Sequence, residues 1–252
     1  MRMFQRPLFG ALICCAIILL TMSGQARAGT LQFFANGEEL ATEGFLAPKL
    51  TKDGWTLTFS HIFVNLAEIT AYQADPPYDA HKGGPVSAKA QVALEGTHVV
   101  DLVMDAGDEP PVLVGEAANA PAGHYNAISW KMAKANGGPL AGYSMVLTGK
   151  AEKDGQVVNF QLYSGEERTY RCGEFVGDER KGFLEQGGLA DLEMTFHLDH
   201  VFGRADKPAD DQMNVDALGF APFSDGAKKH DLKLKGLHIG HAGEGHCSVE
   251  WH

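Results

Sequence analysis

Apolar residues recur with a period of two along most of the chain, and the helical period of 3.6 is scarce, so the pattern predicts a mainly β protein. Trp55, Leu57, Phe59 and Phe63 share one face of a run reaching Asn65, and His61 falls on that same face as an expected hydrogen-bonded core histidine. Val158, Phe160 and Leu162 alternate with Val157, Asn159 and Gln161. Leu192, Met194, Phe196 and Leu198 alternate with Asp191, Glu193, Thr195, His197 and Asp199, the pattern of a half-buried strand. Further strands are expected within Leu31–Phe34, His98–Met104, Tyr125–Met132, Tyr143–Lys150 and Leu232–Ile239. Turn clusters such as Asp75-Pro76-Pro77, Gly83-Gly84-Pro85 and Gly137-Gly138-Pro139 punctuate them. Thr169–Gly188 and Arg204–Asp216 read as irregular, with a short helix in Asp210–Leu218. Short strands so spaced predict one antiparallel β-sandwich, immunoglobulin- or transthyretin-like, with irregular loops.

The first residues change the picture. Met1–Arg6 carries two arginines and no acid, Pro7–Met22 is almost wholly apolar, and Ala26-Arg27-Ala28 is a small-x-small exit. These three parts predict a signal peptide over 1–28, cleaved to leave a single domain over 29–252. The apolar run is shorter than the roughly 20 residues of an uncleaved membrane anchor, and no later stretch reaches that length, so no membrane span is expected after processing. The expected compartment is periplasmic or extracellular. Losing Arg2, Arg6 and Arg27 takes the net charge from −11 to −14, which repels nucleic acid and suits cations.

Cys14 and Cys15 leave with the leader, so Cys172 and Cys247 remain. In an oxidising compartment they are expected to pair as a disulfide that ties the C-terminal tail to the body; thiolate metal ligands are the rival reading.

Histidine carries the candidate chemistry. Of 11 histidines, His230, His238, His241, His246 and His252 crowd the end of the chain, beside Cys247. Neutral imidazole suits zinc and copper, and His238, His241, Glu244 and His246 fall within ten residues. A second copy of the pattern apolar-His-apolar-x-His ends the clearest strand as Phe196-His197-Leu198-Asp199-His200. Residues three apart on an extended strand face opposite sides, so each pair needs a bend, which Gly240 supplies in the C-terminal copy. If the two strand ends are neighbours, His197, His200, His238, His241 and His246, with Asp199 or Glu244, form one metal site at a rim of the sandwich. Without that adjacency the histidines are solvated surface residues. His81 and His98 read as loop and surface residues, and His124 as one that nothing in the spacing ties to the site. Asp206, Asp210 and Asp211 lack calcium-loop spacing and read as a solvated acidic loop.

No covalent-haem, zincin, nucleophile-elbow or phosphate-loop motif occurs, and no nucleophile–base pair presents itself. The run Phe59–Tyr72, the turn Val100-Asp101-Leu102 and the segment Pro121-Ala122-Gly123-His124-Tyr125-Asn126-Ala127-Ile128 resemble secreted bacterial β-sandwich domains. Periplasmic copper-binding proteins associated with methanobactin are among them. The resemblance covers about Trp55–Leu198 and implies a role in metal acquisition, beside an outer-membrane receptor or a haem-containing periplasmic partner. The C-terminal histidines do not match that group residue by residue, so no copper ligand carries over.

The expected function is a periplasmic zinc- or copper-binding protein, a chaperone or scavenger, whose affinity falls below about pH 6 as imidazoles protonate. The alternatives are a metal-dependent enzyme with an open histidine site, and a surface or partner-binding sandwich with no metal.

Overall fold

Leu31, Phe33 and Ala35 alternate inward along Gly29–Asn36, the first strand (β1) of the computed structural model, which describes residues 28–103, 111–173, 181–226, 229–243 and 245–252. The expected signal peptide, but for Ala28, and Glu244 lie outside the described residues. The chain continues through α1 (Glu38–Thr42), β2 (Thr56–Ala74), β3 (Ala88–Ala93), β4 (Thr97–Asp101), β5 (Val112–Ala120), β6 (Gly123–His124) and β7 (Ala127–Met132). Then come β8 (Met145–Lys153), β9 (Gln156–Ser164), β10 (Arg168–Gly173), β11 (Phe183–Leu184) and β12 (Leu189–Phe196). The last elements are α2 (Asp199–Phe202), α3 (Gln212–Asp216), β13 (His230–Asp231), β14 (Gly240–His241) and β15 (Cys247–Trp251).

The protein is mainly β and sandwich-like. One sheet runs β14-β12-β1-β5 and a larger one runs β13-β9-β8-β2-β7-β10-β15, with β3 and β4 both paired to β2. The core lies between them: Leu31 and Phe33 of β1 and Leu192, Met194 and Phe196 of β12 join Ile62, Trp130, Leu147, Phe160 and Tyr170 in one buried cluster. Each such large apolar side chain contributes about 1.5–3 kcal/mol by leaving water, so the alternation seen in the sequence is what closes the sandwich. Among the described residues no helix is long and apolar enough to cross a membrane.

Several elements differ from the pattern reading. The β2 strand carries a register shift between Phe59 and His61 against β8, and a bulge of that kind exchanges the two faces of a strand. Leu57 is therefore buried before the shift, Ile62 and Val64 after it, and the His61 side chain is 52 % exposed rather than in the core. Its Nδ1 meets the Asp101 carboxylate at 2.6 Å. Leu232–Ile239 is not a strand; it is an irregular crossing between β13 and β14, with Leu232, Leu234 and Ile239 buried. The segment from Thr169, expected to be irregular, begins instead inside β10, which has strand partners on both sides. Not every pairing is antiparallel: β1 runs parallel to β12, and β13 to β9.

The parallel β1–β12 pair fixes where function can sit. With Asn36 opposite Thr195, both strands leave the sheet at the same rim. Cys172 of β10 faces Cys247 of β15 in register, their sulfurs at disulfide distance and both residues buried. That pairing holds the end of the chain against the body, as expected.

Candidate functional site

The strand β12 stops at Phe196 and the chain turns directly into the single helical turn α2, which is seated by the buried Leu198, Val201 and Phe202. His197 follows β12 and His200 lies within α2, and the turn between them leaves the two ring centres 5.4 Å apart. The second histidine pair arrives on β14, where Thr195 stands opposite His241 and Phe196 opposite Gly240. The His197 amide donates to the Ile239 carbonyl at 2.8 Å and carries this adjacency on toward His238. The two copies of the sequence pattern are thus neighbours at one rim.

Gly240 is needed there for closeness rather than for flexibility. A β-carbon at this position would stand 2.8 Å from the Tyr170 ring, so only glycine lets β14 lie flat on that ring.

Three imidazoles form a triangle: His197–His241 4.6 Å, His197–His200 5.4 Å and His200–His241 5.7 Å between ring centres. His238 lies 4.9 Å from His241, and His246 6.3 Å from it. Two imidazoles bound to one zinc ion at about 2.0–2.1 Å have ring centres roughly 4.5–5.5 Å apart. The His197–His241, His197–His200 and His238–His241 spacings fall in that range, and the other two exceed it. Among the described residues no group of three or more His, Cys, Asp or Glu side chains is placed so that it could hold a metal ion; what the structure shows is proximity of the rings.

The protonation states favour donor nitrogens. Burial, then the neighbouring rings of His197, His238, His200 and His246, pushes His241 down to about 3, so it is neutral at ordinary pH. Burial likewise holds His238 below its usual value. The Nε2 atoms of both rings are buried without a hydrogen-bond partner, a costly condition for a polar group unless something engages it.

His197 differs. Burial opposes its charge, but the hydrogen bond and the charge of Glu38, with Asp199 behind, raise its pKa above the ordinary value. Its Nδ1 lies 3.0 Å from Glu38 Oε2, and the hydrogen bond to His197 in turn lowers the pKa of Glu38. The raised pKa favours the imidazolium; once its second proton is lost, a carboxylate that holds the remaining one on Nδ1 leaves the other nitrogen free to coordinate, the arrangement that orients metal-bound histidines generally. Asn36 positions this carboxylate: its side-chain oxygen accepts the Glu38 amide at 2.7 Å and its amide group donates to Glu193 at 2.8 Å. Glu38 itself sits at φ 55°.

Of the residues named from sequence, His197, His200, His238 and His241 are thus assembled, and His246 stands at the exposed margin. Asp199 is beside them, one carboxylate oxygen buried and without a hydrogen-bond partner, its charge acting on His197. Sequence reasoning missed Glu38 and dismissed His81, whose ring centre is 5.3 Å from that of His246. His124 stays apart, stacked on Phe183 at 3.8 Å. Asp206 is engaged by Arg204 at 2.6 Å, as a surface loop residue would be.

No family model matches the chain, and neither a curated protein nor a solved structure matches it.

Proposed function

We propose that this chain is an exported transition-metal-binding protein that holds a zinc or copper ion with neutral imidazoles at one rim of its sandwich. The observation that carries this reading is the triangle of His197, His200 and His241, with His238 against it. Four imidazoles from two separate segments crowd together although the Nε2 atoms of His238 and His241 are left buried without hydrogen-bond partners, which costs free energy. An ion that engages their lone pairs removes that cost. Export is supported by the leader-like residues Met1–Ala28 and by the Cys172–Cys247 pairing. A receptor or haem-containing partner, as the sequence resemblance implies, belongs to the same proposal. The role proposed is capture and delivery of an ion.

The direct test strips the protein with a chelator and titrates zinc, copper and nickel in turn, following heat and melting temperature. One tight equivalent of zinc or copper, with a rise in melting temperature, is expected. If none of the three ions binds stoichiometrically, the reading fails.

Glu38→Gln gives a finer test. The side-chain amide keeps the shape and loses the charge that holds His197 in one tautomer, so binding is expected to weaken by about 10–100-fold. A competing chromophoric chelator measures this. Unchanged affinity would remove Glu38 from the site.

A further inference from the structure

The row of histidines continues beyond the half-buried rings. His246 and His81 are both exposed, and their ring centres, 5.3 Å apart, match the roughly 4.5–5.5 Å of two imidazoles on one ion. His246 is also the ring nearest the surface that still reaches the inner group, 6.3 Å from His241. The approach of His81 is built, not incidental. Tyr78 is buried, its hydroxyl bonds the Ser248 hydroxyl at 2.7 Å and donates to the Gly84 carbonyl at 3.2 Å. Ser248 lies two residues after His246, so this one phenol fixes the His81 loop against the strand that His246 leads into. Within the loop, the His81 amide donates to Asp79 Oδ1 at 3.1 Å. Asp79 also pairs with Lys82 at 2.8 Å, which offsets the positive charge next to His81.

We propose that His81 and His246 form a second, solvent-facing site for the same class of ion, a borderline divalent transition metal, and that His246 passes the ion inward to His241. This rests on the metal-binding reading above. The outer pair offers two imidazoles, and an ion there keeps several water ligands and is held weakly. Transfer is ligand exchange: His246 stays bound while His81 and waters leave and His241 enters. The ion's charge does not change and no electron moves. The inner rings, more numerous and drier, hold the ion more tightly, so transfer runs inward. Gly243, at φ 54°, and the Gly245 amide bonded to the Ala242 carbonyl at 2.9 Å shape the tight turn that joins His241 to His246.

The experiment compares the full mature protein with His81→Ala and Tyr78→Phe, using zinc and copper as probes. Equilibrium competition reads the first equivalent, and stopped-flow mixing reads its rate of uptake. His81→Ala is expected to bind the first equivalent within twofold of wild type, to load roughly tenfold more slowly, and to lose a weaker second equivalent. Tyr78→Phe, which leaves both imidazoles in place, is expected to slow loading in the same direction. Wild-type loading by His81→Ala overturns the proposal. So does an equal loss of first-equivalent affinity, which would make His81 an inner ligand. A wild-type protein that binds no metal defeats the underlying reading instead, and that result is seen before any variant is compared.

Discussion

Replacing both Cys172 and Cys247 with alanine is expected to lower stability by about 4 kcal/mol and the melting temperature by roughly 10 °C. The two residues are separated by 75 positions, and a loop of that length loses about this much chain entropy in the unfolded state when its ends are joined. Alanine suits the test because both sites are buried, so a polar replacement would add a second penalty. The other contacts of β15 explain why the loss is not absorbed locally. This strand is the edge of the large sheet and, among the described residues, pairs only with β10. Its side-chain anchors include the Tyr78–Ser248 hydroxyl pair at 2.7 Å, the exposed Arg171–Glu250 pair at 2.8 Å, worth little, and the buried Arg168 guanidinium lying 4.4 Å over the Trp251 ring. Without the crosslink β15 is expected to fray first, and His246 with it, since it adjoins Cys247. Denaturant unfolding of oxidised wild type against the double variant reads the free energy directly. A difference below about 1 kcal/mol would mean the crosslink is not what holds the tail.

The period of two predicted the β class because it reports which side of a strand meets the core, a local property. It lost β2 partway because a single shifted residue after Phe59 reverses the faces, and nothing in Phe59-Ser60-His61 announces a bulge. Leu232–Ile239 misled for a related reason: its apolar residues are buried, but as a crossing that fills the core. The histidine echo was legible because it is a five-residue pattern repeated within the sequence itself, although only the first copy ends a strand and the second leads into β14. Glu38 and His81 were not. Glu38 reaches His197 only because β1 lies parallel to β12, a pairing between segments far apart in the sequence that leaves no local trace. His81 is brought to His246 through Tyr78 and Ser248, 170 residues apart in sequence.

His241→Ala is expected to have the largest effect on metal binding, a loss of at least about a thousandfold, or about 4 kcal/mol. Among the described residues its ring alone lies within 6.3 Å of His197, His200, His238 and His246 alike, so any ion shared between the two segments must lie beside it. The folded protein should survive the change, because the variant removes a buried Nε2 that has no hydrogen-bond partner and leaves β14 paired through its backbone. Coupling between segments distinguishes one site from two. If the ion is shared, His197→Ala with His200→Ala should abolish binding, and so should His238→Ala with His241→Ala. The fourfold variant should then be no worse than either double, the non-additivity of residues acting as a unit. Were each segment to bind alone, the losses would add and each double variant would keep one ion. His61→Ala serves as the control, since His61 pairs with Asp101 away from the rim and should bind as wild type does. Isothermal titration across this set measures stoichiometry and affinity together. Binding by His241→Ala within threefold of wild type would show that the ring at the centre of the cluster is not a ligand, and the shared site would go with it.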